Sequence, residues 1–231
     1  MIDQVYTTLQ SIVNKENSGY VSPEEFNQIA KQVQDKIFRG YFEDYNKDKN
    51  RENRGLTNPG VGNLAMNQDQ RIAPFRRSAS VNKNVDRYLL PSDVYYVIQN
   101  GVINDSNRVI EPSPDDSHYY LALSEFGPSD LYPMYTRSTN EIFVHPNTYA
   151  APIYVRYIKH PEDPKWTYTV INGQELYDPS KSDFQDFELQ EIEFSTIVIE
   201  MLTYFGINLR EGDVVQIAEA LKNKQEVKDS N

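Results

Sequence analysis

Ser22-Pro23-Glu24-Glu25-Phe26 opens the stretch whose reading decides the fold. Serine is a favoured helix N-cap, proline suits the first helical position, and Glu25 stands three residues after Ser22, where a capping box needs it. Beyond it Phe26, Ile29, Ala30, Val33, Ile37, Phe38, Tyr41, Phe42 and Tyr45 recur at steps of three and four. That spacing predicts an amphipathic helix of about six turns with one wide aromatic face to bury. Upstream, Val5, Leu9, Ile12 and Val13 form a shorter stripe and predict a first helix over residues 2–15. Residues 1–45 therefore read as a helical hairpin.

Downstream the composition changes abruptly. Asn46 to Gln70 is nearly all Asn, Lys, Asp, Arg, Gly and Gln, too polar to offset its own ordering entropy. Residues 46–84 are expected to be a flexible arm, and the charge sharpens that expectation. Residues 1–46 carry 4 basic and 7 acidic side chains, residues 47–87 carry 9 and 4, and residues 88–231 carry 10 and 23. The net charge of -11 thus divides into -3, +5 and -13. A long polar connection of this kind is either a solvated linker or a segment that docks on a partner.

Past the arm the hydrophobic period shortens. Val85–Leu90, Val94–Gln99, Val109–Glu111, Glu141–His145, Ile153–Lys159 and Trp166–Ile171 are short runs rich in Val, Ile, Tyr and Thr. Clusters with turn chemistry separate them, among them Gln99-Asn100-Gly101, Pro112-Ser113-Pro114-Asp115-Asp116 and Ile171-Asn172-Gly173. Residues 85–178 read as a β body, an antiparallel sheet or small barrel. Helical spacing returns in 179–231: Ser182 or Asp183 can cap a run holding Phe187, Ile192, Phe194, Ile197, Val198, Met201, Leu202 and Phe205. Gly206 then offers a helix stop, and Asp213 caps a last run of Val214, Val215, Ile217, Ala218 and Leu221. Helices, strands, helices in that order make the chain α+β, expected as one compact domain.

The composition excludes several chemistries. No cysteine occurs in 231 residues, so disulfides, thiolate metal sites and cysteine nucleophiles are out. No apolar run approaches the roughly 20 residues that span a bilayer. Met1-Ile2-Asp3-Gln4 lacks the charged start and apolar core of a signal peptide, which points to an intracellular product. His118, His145 and His160 sit in or beside turns, none with a second histidine three or four residues away. Neither a Gly-x-Ser-x-Gly elbow nor a phosphate-binding Gly-rich motif appears. Carboxylate pairs such as Asp115-Asp116 and Glu162-Asp163 fall in Pro-rich turns, with nothing to set them face to face. No enzyme and no cofactor is expected.

One motif points to a metal. Asn14 to Glu25 places oxygen donors at positions 1, 3, 5, 9 and 12 of an EF-hand-like loop (Asn14, Glu16, Ser18, Ser22, Glu25), with Gly19 at position 6. Asn14 replaces the expected carboxylate and Glu16 is longer than usual, while a hairpin needs a glycine and an N-cap anyway. The 17 tyrosines are open to two readings as well. Sheets favour tyrosine, and so do subunit interfaces, where it buries area and keeps a hydrogen bond.

Three stretches carry a resemblance. They are Asn14 to Asn27 with Ile37-Phe38-Arg39-Gly40-Tyr41-Phe42; Tyr154 to Ile158 leading to Pro161-Glu162-Asp163-Pro164-Lys165-Trp166-Thr167-Tyr168; and Glu191 to Glu200 followed by Tyr204 to Val215. Together they span both ends and the β region. The chain resembles the head-to-tail connector proteins, rings or adaptors, of the crAss-like and related Bacteroidales podoviruses. The resemblance implies a homo-oligomeric ring, usually of twelve copies, made in the host cytoplasm and placed in the virion neck beneath the portal protein. Portal and neighbouring ring or tail proteins would be its partners. Genome DNA would pass through the lumen without specific binding, as an acidic wall favours. No catalytic residue carries over. Partner contacts are expected at Arg71, Phe75, Arg76 and Arg77 of the arm and at Trp166. The alternatives are another virion component, such as a tail part or fibre adaptor, and a calcium-binding module on Asn14, Glu16, Ser18 and Glu25.

Overall fold

A computed structural model describes residues 1–15, 20–53, 69–113 and 127–205. The longer helices among them are α1 (Ile2–Lys15), α2 (Pro23–Asn53) and α3 (Phe194–Tyr204). Ten strands lie between α2 and α3: β1 (Arg76–Val81), β2 (Lys83–Asn84), β3 (Arg87–Leu89), β4 (Val94–Asn104), β5 (Glu111–Pro112), β6 (Met134–Arg137), β7 (Glu141–His145), β8 (Ile153–Lys159), β9 (Tyr168–Ile171) and β10 (Gln174–Tyr177). The chain is α+β, and its sheets are open, with no closed barrel among the described residues. No described helix is long and apolar enough to cross a membrane. The contacts divide the chain into two units: Met1–Arg71 with Pro161–Asn231, and Ile72–His160.

The first unit is built on its helices. At the start of α2 the capping box forms as its spacing predicts: the Glu25 amide donates to Ser22 Oγ (3.3 Å), and the Ser22 amide and hydroxyl donate to Glu25 Oε2 (3.2 and 2.9 Å). The buried stripe of α2 is Phe26, Ala30, Val33, Phe38 and Tyr41; that of α1 is Ile2, Val5, Tyr6, Leu9 and Val13. Both helices pack against α3, which buries Ile197, Val198, Met201 and Leu202. Tyr6 and Gln10 on α1 both donate to the Val21 carbonyl and so fasten the approach to α2. Gln34, buried on α2, donates to the Glu162 carbonyl (2.7 Å) and accepts the Glu188 amide (3.0 Å). A buried amide satisfied at both ends joins the returning chain to the helix.

Both ends of the stretch 46–84 are regular structure. α2 runs on to Asn53, because extending a formed helix is far easier than starting one, and Lys47 pairs back to Asp44 (3.3 Å) and Glu43 (4.0 Å). At the other end Arg76–Val81 is a strand that pairs with β8 over its whole length. Partners 70 or more residues away override a composition that reads locally as coil. Residues 54–68 lie outside the described residues, as does the last predicted helix at 213–221.

The second unit has two sheets, ordered β1-β8-β4 and β2-β3-β7-β6-β5, antiparallel except for the short β5–β6 pair. One core joins their inner faces: Val81, Val97, Val102, Ile153, Val155 and Tyr157 from the first, with Tyr88, Tyr135, Ile142 and Val144 from the second. On β8 the alternation holds for five residues, Ile153, Val155 and Tyr157 inward, Tyr154 and Arg156 outward. Burial pushes the Tyr88 hydroxyl pKa up to about 12, and that hydroxyl donates to the Ala151 carbonyl. Gln99-Asn100-Gly101, expected to be a turn between strands, is instead a bulge within the 11 residues of β4. Asn100 takes a left-handed conformation (φ 58), and a Cβ on Gly101 would stand 2.6 Å from the Ile98 carbonyl and 2.7 Å from that of Arg156. Turns and bulges recruit the same residues, so the local signal could not separate them.

Candidate interaction site

In the first unit, β9 and β10 form a two-residue hairpin through Asn172-Gly173, both at positive φ (53 and 79) as a type I′ turn requires. Hydrogen bonds continue the ladder below the strands: Asp178 N to Thr167 O, then a reciprocal pair between Lys165 and Gln185. Trp166 seats this hairpin on the helices. Its amide donates to Asn27 Oδ1 (2.7 Å), its carbonyl accepts Asn27 Nδ2 (3.0 Å), and its indole N–H reaches Asp3 (3.1 Å). Its ring meets Tyr6 at 4.2 Å and stacks with Tyr168 and Tyr177 at 5.7 and 6.0 Å. Four aromatic rings thus tie the hairpin to α1.

The polar frame of the hairpin is made of local pairs. Lys165 bridges to Asp183 (2.6 Å), and Lys181 donates to the Tyr168 carbonyl (2.6 Å) while its ammonium lies 5.7 Å from the Tyr168 ring centre. Hydroxyl bonds from Ser180 and Thr169 hold the Asp178 carboxyl below the usual carboxylate range, and the Lys165 ammonium does the same for Asp183. Two open clefts flank the hairpin. One, of about 480 Å³, is lined by Glu24, Asn27, Trp166, Tyr168, Val170 and Asp183; the other, of about 530 Å³, by Tyr6, Gln10, Tyr20 and Glu175. Tyr20 donates to the Glu175 carboxylate, a bond that raises its hydroxyl pKa above the ordinary value.

Despite this careful seating, the hairpin presents apolar side chains to solvent. Val170 is 59 % exposed, Ile171 51 % and Leu176 48 %. The pairing of Thr169 with Leu176 and Ile171 with Gln174 puts Ile171 and Leu176 diagonally on one face, with Val170 and Glu175 on the other. The strand run Trp166–Ile171 and the turn chemistry of Ile171-Asn172-Gly173 mark the hairpin in the sequence, but nothing local marks Val170, Ile171 and Leu176 as exposed.

The expected contact residues scatter. Trp166 and Phe75 are buried within the chain, 3 % and 1 % exposed. Arg71 stands 3.4 Å from Glu193, itself buried, while burial and the Glu193 charge push the Tyr41 hydroxyl pKa up. Arg76 and Arg77 are exposed on β1, with Arg77 Nη1 donating to the carbonyls of Pro74 and Arg76. Removing Arg71 leaves the Glu193 carboxylate in low dielectric without its cation. We expect Arg71→Ala to cost about 1–3 kcal/mol in urea unfolding. Partial recovery in Arg71→Ala/Glu193→Gln would identify the buried charge as the cause; unchanged stability in Arg71→Ala would leave Arg71 to a partner.

Of the EF-hand-like set, Asn14 lies in the last turn of α1 and the Glu25 carboxylate is held by Ser22; Glu16 and Ser18 lie outside the described residues. No group of three or more His, Asp or Glu side chains placed to hold a metal occurs among the described residues. His145 Nε2 faces Thr136 Oγ1 at 3.3 Å, and His160 lies beside the Tyr95 ring. The tyrosines divide: Tyr6, Tyr88, Tyr135, Tyr149 and Tyr157 are core, whereas Tyr20, Tyr96, Tyr132 and Tyr154 are well exposed. No protein-family model and no curated protein matches the chain.

Proposed function

We propose that this chain is a virion structural protein that assembles as a homo-oligomeric ring in a head-to-tail connector, beneath the portal, around the path of the DNA. The observation that carries this reading is the rigidly seated hairpin with Val170, Ile171 and Leu176 on its surface. A convex element that is apolar outside and anchored inside suits adhesion to another protein, not substrate chemistry. The distribution of charge supports it too. The first unit holds 15 basic and 25 acidic side chains, a net of -10, whereas the second, with 8 and 9, is nearly neutral. Such asymmetry discourages like-on-like packing and favours contacts between unlike surfaces, and a repeated contact of that kind closes into a ring. An acidic assembly also lets DNA slide past instead of gripping its phosphates.

Mass photometry and negative-stain electron microscopy of the purified chain test the reading. We expect discrete rings, or oligomers that grow with concentration. A strict monomer at tens of micromolar, with no binding to a portal protein, would overturn it.

A further inference from the structure

We propose that Asn172 is a site of intramolecular deamidation, a covalent change at the tip of the β9–β10 hairpin that yields aspartate and isoaspartate there. The chemistry is internal to one chain and goes beyond the ring reading without resting on it. The chain holds two Asn-Gly pairs, Asn100-Gly101 and Asn172-Gly173. A glycine after asparagine leaves the main-chain nitrogen unshielded by a side chain, so both pairs have the local chemistry for the reaction. The fold treats them differently.

At the hairpin tip Asn172 and Gly173 are the central residues of the turn (φ 53 and 79), both exposed, and the ladder pairs Ile171 with Gln174 on either side of them. Neither the Asn172 carboxamide nor the Gly173 amide has a hydrogen-bond partner among the described residues. A Cβ placed on Gly173 would meet no atom within 4 Å, so the nitrogen and the carboxamide can turn toward each other without displacing a neighbour. The adjoining Ile171 is exposed as well, which leaves the tip at the low end of local stability. Asn100 is also exposed, but Gly101 is buried in the bulge of β4. A Cβ there would stand 2.6 Å from the Ile98 carbonyl oxygen and 2.7 Å from that of Arg156. Swinging the Gly101 nitrogen onto Asn100 therefore drives main chain against main chain and must first part β4 from β8.

The step balances with water as its only co-reactant. The Gly173 amide nitrogen loses its proton and attacks Asn172 Cγ; the N–Cγ bond forms as Cγ–Nδ2 breaks, and Nδ2 departs with that proton as ammonia. The resulting succinimide ring then takes up a water molecule. Hydrolysis at Cγ gives aspartate on the original main chain. Hydrolysis at the main-chain carbonyl of residue 172 gives isoaspartate, whose chain runs through Cβ and Cγ. Either product adds a carboxylate to the tip. The isoaspartate also lengthens the main chain of a two-residue loop, which a type I′ turn does not accommodate.

Peptide mapping by mass spectrometry tests this on the full chain, held at mildly alkaline pH, where the amide nitrogen loses its proton more readily. In the folded chain Asn172 is expected to deamidate at least about tenfold faster than Asn100, a difference of about 1.4 kcal/mol in barrier. In urea, where the two pairs are the same unstructured dipeptide, their rates should converge. An isoaspartyl-specific carboxyl methyltransferase supplies a second readout. The aged chain should accept methyl groups, and Asn172→Gly, which keeps a residue suited to positive φ, should lose most of that capacity. Asn172 left intact in the folded chain while it reacts in urea would overturn the proposal and show that the turn holds the nitrogen away from Cγ. Equal rates at the two sites in the folded chain would overturn the selection assigned to the fold. Methyl acceptance kept in full by Asn172→Gly would refute Asn172 as the site.

Discussion

Trp166→Ala is expected to destabilise the first unit by about 3–5 kcal/mol, within the range for truncating a buried aromatic side chain. The indole is 3 % exposed, touches Tyr6 at 4.2 Å, stacks with Tyr168 and Tyr177, and donates to Asp3. Alanine forfeits all of these and strands the Asp3 carboxylate's partnership, while the Asn27 clamp on the backbone survives. The hairpin should therefore loosen from α1 before the helices separate. Urea unfolding followed by circular dichroism gives the stability, and proteolysis at Ile171–Gln174 reports the loosening. A loss below about 1 kcal/mol would contradict the anchoring role and return Trp166 to a partner interface.

Phe38→Ala should cost as much, about 3–5 kcal/mol, whereas Phe42→Ala should cost markedly less. The two rings meet edge to face at 5.2 Å on adjacent turns of α2. Phe38 is fully buried, but Phe42 is only partly covered, so its truncation leaves a smaller cavity and water can reach it. Trp166 is the single tryptophan and sits in the same unit, so its fluorescence reports the unfolding of both variants directly. Equal losses would show that the aromatic face of α2 is covered along its full width.

Much of the helical part was legible in the residues. The Ser22-Pro23-Glu24-Glu25 signal and the three-and-four spacing after it are local properties, and the capping box forms between the residues so marked. β7 and β8 were legible for a similar reason, since Glu141–His145 alternates throughout and β8 does so from Ile153 to Tyr157. The misreadings share one cause. Arg76–Val81 has no apolar pattern of its own and is a strand only because β8 pairs with it. Gln99-Asn100-Gly101 carries turn chemistry but bulges out opposite Arg156.

The candidate site was less legible than the fold. Trp166, Phe75 and Arg71 are of residue types found both at interfaces and in cores. Whether such a side chain faces a partner or its own core depends on what the rest of the chain places against it. Asn27, 139 residues before Trp166, made that choice by clamping its backbone.

What the sequence by itself determined is the α+β class, the starts of α1 and α2 (though not of α3, expected at Ser182 or Asp183 and found at Phe194), the absence of cysteine chemistry and the uneven charge. Each follows from spacing within a few turns or from counting side chains. Only the tertiary structure decided that the basic stretch would be shared between a longer α2 and an edge strand. It also decided that the acidic side chains would gather in one unit, and that Val170, Ile171 and Leu176 would be left outside. Burial is a property of what packs on a residue, and in this chain deciding partners lie far apart in sequence, β1 and β8 by more than 70 residues and Asn27 and Trp166 by 139.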